Sequence, residues 1–189
     1  MRPRLLLGSC LLAALFLALS INGFWGRASG DDGSTYQIGL RKIVVTMPAD
    51  TAEGATTHGP RVAACDYLRG SGAVEFCAPV PEADAAFSML CAAFPLLVVA
   101  FIFALSSAIV TKISPYTGKG TAAALAGAGF AASFAATVFA KISMPYALAV
   151  LLGPKMEFGG LPFTSAWIAV ALLLFAAGIG TTSTMLGHT

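Results

Sequence analysis

Cys65 and Cys77, twelve residues apart in a polar stretch, and the two histidines, His58 and His188, are the side chains of this sequence best suited to chemistry. The cysteine spacing is not the Cys-x-x-Cys of a redox-active site, which argues against disulfide exchange. On an oxidising face the pair reads as a structural disulfide, closing a short loop and stabilising it by about 2–3 kcal/mol. His58 falls in a small, polar run, ADTAEGATTHGP (49–60), too loose to preorganise a Ser-His-Asp set, and His188 stands one residue from the last. Together they do not make a buried metal or haem site. No phosphate loop, no GxGxxG after a strand and no HExxH occurs. Asp31-Asp32-Gly33 reads as a solvated turn rather than a calcium loop. The expectation is therefore a protein that is not an enzyme, with no catalytic residue, no metal and no cofactor.

The elements that carry these residues are unusual in composition. The chain is 57% apolar and 11% charged, where a soluble domain averages about 25% charged. Four apolar stretches, about 5–22, 86–111, 120–141 and 163–186, are separated by polar ones at 23–85, 112–119 and 142–162. Runs of about 20 apolar residues cross a hydrocarbon core roughly 30 Å thick. Inside lipid the backbone must satisfy its own hydrogen bonds, so the runs are expected to be helices. Cys10 and Cys91 lie within them and read as inert packing residues. The fold class expected is a mainly α membrane protein: a four-transmembrane-helix bundle, one domain over 1–189, with a small disulfide-pinned extracellular β-sheet in the first outer loop.

Charge sets an expected orientation. Eight of the nine acids, Asp31 to Asp84, fall in 23–85, and the ninth, Glu157, falls in 142–162. The N-terminal stub carries Arg2 and Arg4, and the short central loop carries Lys112 and Lys119, with no acid in either. By the positive-inside rule both termini and the central loop face the cytoplasm, and 23–85 and 142–162 face outside or a lumen. Met-Arg-Pro-Arg, an apolar run and then Ala18-Leu19-Ser20 have the form of a secretory signal; the segment is read here as a retained signal anchor. The plasma membrane is the favoured location, with an organelle membrane as the alternative. A net charge of +2 with scattered basic residues is too small to argue for nucleic acid, and none is expected as a partner.

Within 23–85, Tyr36–Met47 (YQIGLRKIVVTM) is rich in β-branched residues and predicts a strand. Arg61–Leu68 and Ala73–Ala78 flank Arg69-Gly70-Ser71-Gly72 and predict a hairpin with Cys65 and Cys77 near its ends. So small a sheet must pack on the helix ends. Gly127, Gly129, Ala131 and Ser133 on the third segment, and Ala166, Ala169, Ala176, Ala177 and Gly180 on the fourth, predict close helix packing, first within the chain's own bundle. Pro95 predicts a kink in the second segment, and Lys141 is expected to end the third with its ammonium at the outer surface.

Lys155-Met156-Glu157-Phe158-Gly159-Gly160 leads into Leu161-Pro162-Phe163 and then Trp167. In physical terms the glycines permit a tight turn, Pro162 suits a first helical turn, and Phe163 and Trp167 suit a membrane surface. The same run resembles the second outer loop and fourth helix of the claudins, a superfamily that includes peripheral myelin protein, the channel γ subunits and the amastins. Trp25 after the first segment, Gly39-Leu40 at the place of the family's Gly-Leu-Trp, and the two cysteines Cys65 and Cys77 follow in the family's order. Arg41 stands where the family has tryptophan, and about 25 residues separate Leu40 from Cys65 where the family has few. These departures point away from tight junctions and toward a divergent, amastin-like member. The resemblance implies a non-catalytic tetraspan acting through lateral or cell-surface contacts, with the bilayer, other membrane proteins or copies of itself as partners. The alternative is an accessory subunit that stabilises a larger membrane complex, energy-converting or channel-forming.

Overall fold

The structure is a computed structural model that describes residues 3–29, 33, 35–40, 42–47, 61–66, 84–115, 117–152 and 156–185. Four helices dominate it: α1 (Pro3–Asn22), α2 (Asp84–Ile113), α3 (Lys119–Leu152) and α4 (Leu161–Met185). Each contains a stretch long and apolar enough to cross a membrane, at Pro3–Asn22, Ala92–Ile113, Lys119–Ser143 and Leu161–Thr181. This is the architecture of a multi-pass membrane helical bundle. α1 packs on α2 and α4, α2 on α3, and α3 on α4, so chain order runs round the bundle. The α2–α3 connection is tight. Gly118 N–H donates to the Ser114 carbonyl at 3.0 Å, and Ala122 N–H donates to the Gly118 carbonyl at 2.9 Å.

The distribution of side chains is that of a protein in lipid. The interior is built of small residues, among them Ala13, Ala100, Ala104, Ala126, Ala136, Ala169 and Ala176. Large apolar residues such as Leu15, Ile102, Ile109, Phe134, Leu174 and Phe175 stand exposed on the outside. In water this arrangement would forfeit the hydrophobic effect. In a bilayer the tails are as apolar as leucine, and association rests on close backbone approach between small residues. A Cβ built on Gly129 would lie 3.3 Å from Phe103 Cβ, and one on Gly180 would lie 2.3 Å from Ala123 Cβ. Gly129, Ser133, Ala166, Ala169, Ala176 and Gly180 are buried and serve packing within the chain, whereas Ala131 is exposed.

Buried hydroxyls add interhelical and local ties. Cys10 Sγ–H donates to Ser107 Oγ at 3.3 Å, and Ser107 Oγ–H donates to the Ala122 carbonyl at 2.7 Å, which links α1, α2 and α3. Thr111, Thr137 and Ser165 bond back to carbonyls of their own helices, the usual solution for a hydroxyl inside an apolar bundle. Ser143 does the same with Phe139.

One end of the bundle carries an antiparallel sheet of β1 (Phe24–Ser29), β2 (Thr35–Gly39), β3 (Lys42–Met47), β4 (Arg61–Asp66) and β5 (Met156–Phe158), in the order β4-β3-β2-β1-β5. Three features differ from the sequence expectation. The run Tyr36–Met47 is two strands, not one: β2 folds back on β3 from Ile38↔Ile43 to Thr35↔Thr46. Alternation continues through Gly39-Leu40, so the reversal leaves no break in the pattern. The sheet is also not confined to the first outer loop, because β5, from between α3 and α4, completes it at β1. Finally, the third segment does not end at Lys141: α3 continues to Leu152, so the segment 142–162 is half helix. An exposed lysine does not terminate a helix whose backbone bonds remain internal. The first arm of the hairpin expected near the cysteines is β4; its second arm lies outside the described residues.

Candidate functional site

Trp25 is the hub of the sheet end. Along β1 and β2 the register passes from Phe24↔Gly39 to Gly26↔Ile38, so Trp25 is the extra residue of a β-bulge. Strict alternation would put Trp25 on the same face as Arg27 and Ser29, which are exposed. The bulge re-aims it inward, and its side chain is 0% exposed. Its indole Nε1–H donates to the Ser20 carbonyl at 2.9 Å. That carbonyl belongs to the last turn of α1, where the helix itself offers no partner, so the indole caps the helix. Ser20 Oγ is itself buried without a hydrogen-bond partner. The indole also meets Phe163 of α4 edge-on, with ring centroids 5.6 Å apart and planes at 67°.

The approach to α4 is shaped around the same residue. Gly159 N–H donates to the Trp25 carbonyl at 3.3 Å. Gly159 and Gly160 have φ of 147° and 128°, values open to glycine and strained for other residues. They turn the chain from β5 into α4, whose first turn closes with Thr164 N–H on the Gly160 carbonyl at 3.1 Å. Pro162, second in the helix, sits where its missing N–H leaves nothing unsatisfied. A Cβ on Gly23 would lie 2.0 Å from Pro162 Cγ, so the start of β1 and the start of α4 touch through glycine.

Most residues singled out in the sequence therefore converge on one place. Gly39 pairs with Phe24, Phe158 with Gly26, and Glu157 with Arg27. Leu40 is buried in the core cluster that also holds Trp25. Trp167 stands one turn farther along α4, edge-on to Phe163 at 6.4 Å and to Phe134 of α3 at 6.1 Å. Phe134 in turn stacks on Phe130 at 5.9 Å. This aromatic run ties α3 to α4 below the sheet. Cys65 lies in β4 opposite Ile43, whereas Cys77, Lys155 and His58 lie outside the described residues.

Three participants carry no signal of their role in the sequence. Ser20 acts through its carbonyl, Gly23 through its lack of a side chain, and Arg27 through its register with Glu157. Beside Trp25 the sheet and α4 leave an open groove of about 690 Å³, with Phe24, Arg27, Glu157, Gly159, Leu161 and Pro162 among its walls. Among the described residues no group of three or more His, Cys, Asp or Glu side chains could hold a metal ion. The arrangement is one that fixes geometry: it clamps a sheet to a helical bundle. No family model matches the sequence, and a search of curated proteins finds none that matches it.

Proposed function

We propose that this chain is a non-catalytic membrane tetraspan of claudin-like design that works through contacts of its sheet with neighbouring membrane or cell-surface proteins or with copies of itself. The observation that carries the reading is the clamp at Trp25. One buried indole caps α1, lies in β1 beside β5 and packs on α4, so the sheet is held rigidly on the bundle. A rigid, presented surface suits recognition. The four-helix order and the glycine turn into α4 support the claudin-like resemblance stated from the sequence. In this reading the sheet faces outside or a lumen, both termini and the Lys112–Lys119 loop face the cytoplasm, and a Cys65–Cys77 disulfide pins the far edge of the sheet. The plasma membrane is the favoured membrane of this reading, with an organelle membrane as the alternative.

Gentle solubilisation from the native membrane, followed by identification of what migrates with the chain at native mass, tests the reading. Migration alone, as small homo-oligomers, or with one surface protein is the expected result. A large complex of fixed stoichiometry, which loses stability when this chain is removed, would replace it with the accessory-subunit reading.

A further inference from the structure

Among the described residues, the groove beside Trp25 contains one pair of opposite charges, Arg27 and Glu157, in walls otherwise made of glycine and apolar side chains. We propose that it seats the headgroup of a zwitterionic phospholipid, with the phosphate on Arg27 and the ammonium on Glu157. The inference goes beyond the contact function above and needs only that the four helices lie in a bilayer.

Position favours a lipid. The apolar span of α4 begins at Leu161, a wall of the groove, so the groove opens at the level where headgroups lie. Leu161 is 74% exposed, an apolar foot beside the charged pair. Spacing favours a zwitterion. Arg27 and Glu157 are directly paired across β1 and β5, so their side chains leave the same face of the sheet side by side. The phosphate and ammonium of phosphatidylcholine or phosphatidylethanolamine are separated by only two carbons, so one headgroup can meet both side chains. A guanidinium takes a phosphate through two parallel hydrogen bonds, and the neighbouring carboxylate repels a headgroup that is anionic without a compensating ammonium. Both side chains are exposed, so each keeps its hydration until the lipid arrives. The groove, at about 690 Å³, has room for a headgroup with its glycerol.

The full chain, reconstituted into bilayers of equal parts phosphatidylcholine and phosphatidylglycerol and released for native mass spectrometry, provides the test. Phosphatidylcholine is expected to be retained over phosphatidylglycerol by roughly fivefold, the upper range for one solvent-exposed ion pair. Glu157→Gln levels or reverses that preference, and Arg27→Gln lowers retention of both lipids. Glu157→Asp and Arg27→Lys, which keep the charges, retain the wild-type order and control for folding. Equal retention in the wild type, or a preference untouched by both neutral variants, overturns the proposal. A chain that does not enter the bilayer overturns this inference together with the membrane reading; insertion without lipid preference overturns this inference alone.

Discussion

The indole of Trp25 donates its Nε1–H to the carbonyl of Ser20 at 2.9 Å, so a residue of the sheet closes the helix that precedes it. The link joins two elements that neither hydrophobic pattern nor charge would have coupled. It also explains why a large aromatic side chain follows the first apolar segment so closely.

Trp25→Phe keeps most of the packing on Phe163 but leaves the Ser20 carbonyl buried and unpaired, which costs about 1–3 kcal/mol. Trp25→Ala adds the loss of a fully buried ring and is expected to cost about 3–5 kcal/mol. Ser20→Ala removes only the hydroxyl that has no partner, leaves the carbonyl in place, and is expected to be neutral or stabilising. Unfolding titrations in mild detergent check the order; a Trp25→Phe protein as stable as the wild type would refute the capping role.

Gly180 approaches Ala123 so closely that an added Cβ would lie 2.3 Å from the alanine's. Gly180→Ala must part α4 from α3 and is expected to destabilise by about 1–3 kcal/mol. Ala123→Gly, made in the same chain, returns most of that loss, because the two sites share one contact. Gly178→Ala, with nothing within 4 Å of the new atom, stays within about 0.5 kcal/mol of the wild type. Thermal unfolding of the wild type, Gly180→Ala, Ala123→Gly and the double variant reads out the cycle, with Gly178→Ala as the control.

Ser107 stands between Cys10 of α1 and the Ala122 carbonyl of α3. Ser107→Ala cuts both bonds at once and is expected to cost about 1 kcal/mol, in the range of interhelical hydrogen bonds measured in membranes. Cys10→Ala removes only a weak S–H donor and has the smaller effect. A Cys10 variant that loses more than the Ser107 variant would show packing, not hydrogen bonding, to be the link.

Cys65 and Cys77 are expected to be joined and Cys10 free. Non-reducing peptide mass mapping should recover a Cys65–Cys77 linked pair, and reduction should lower stability by about 2–3 kcal/mol. Cys10, buried in the bundle, should react with maleimide only after unfolding. Recovery of Cys65 and Cys77 as free thiols would withdraw the claim that the sheet faces an oxidising space.

The sequence by itself determined the four helices, because runs such as 5–22 and 163–186 leave no other way to satisfy a backbone in an apolar medium. It also determined that the buried faces would be small, since glycine and alanine recur on the third and fourth segments. Only the tertiary structure decided the order of the sheet and its fifth strand. β1 (FWGRAS) does not alternate and β5 is three residues long, so neither is read from periodicity, and β5 is a strand because β1 offers it a ladder. The β2–β3 reversal carries no Asn-Gly or Asp-Gly signature, so its pattern reads as one strand. The bulge at Trp25 and the pairing of Arg27 with Glu157 depend on register between distant segments. Local propensity does not encode that register; burial of one indole and two glycine contacts selects it.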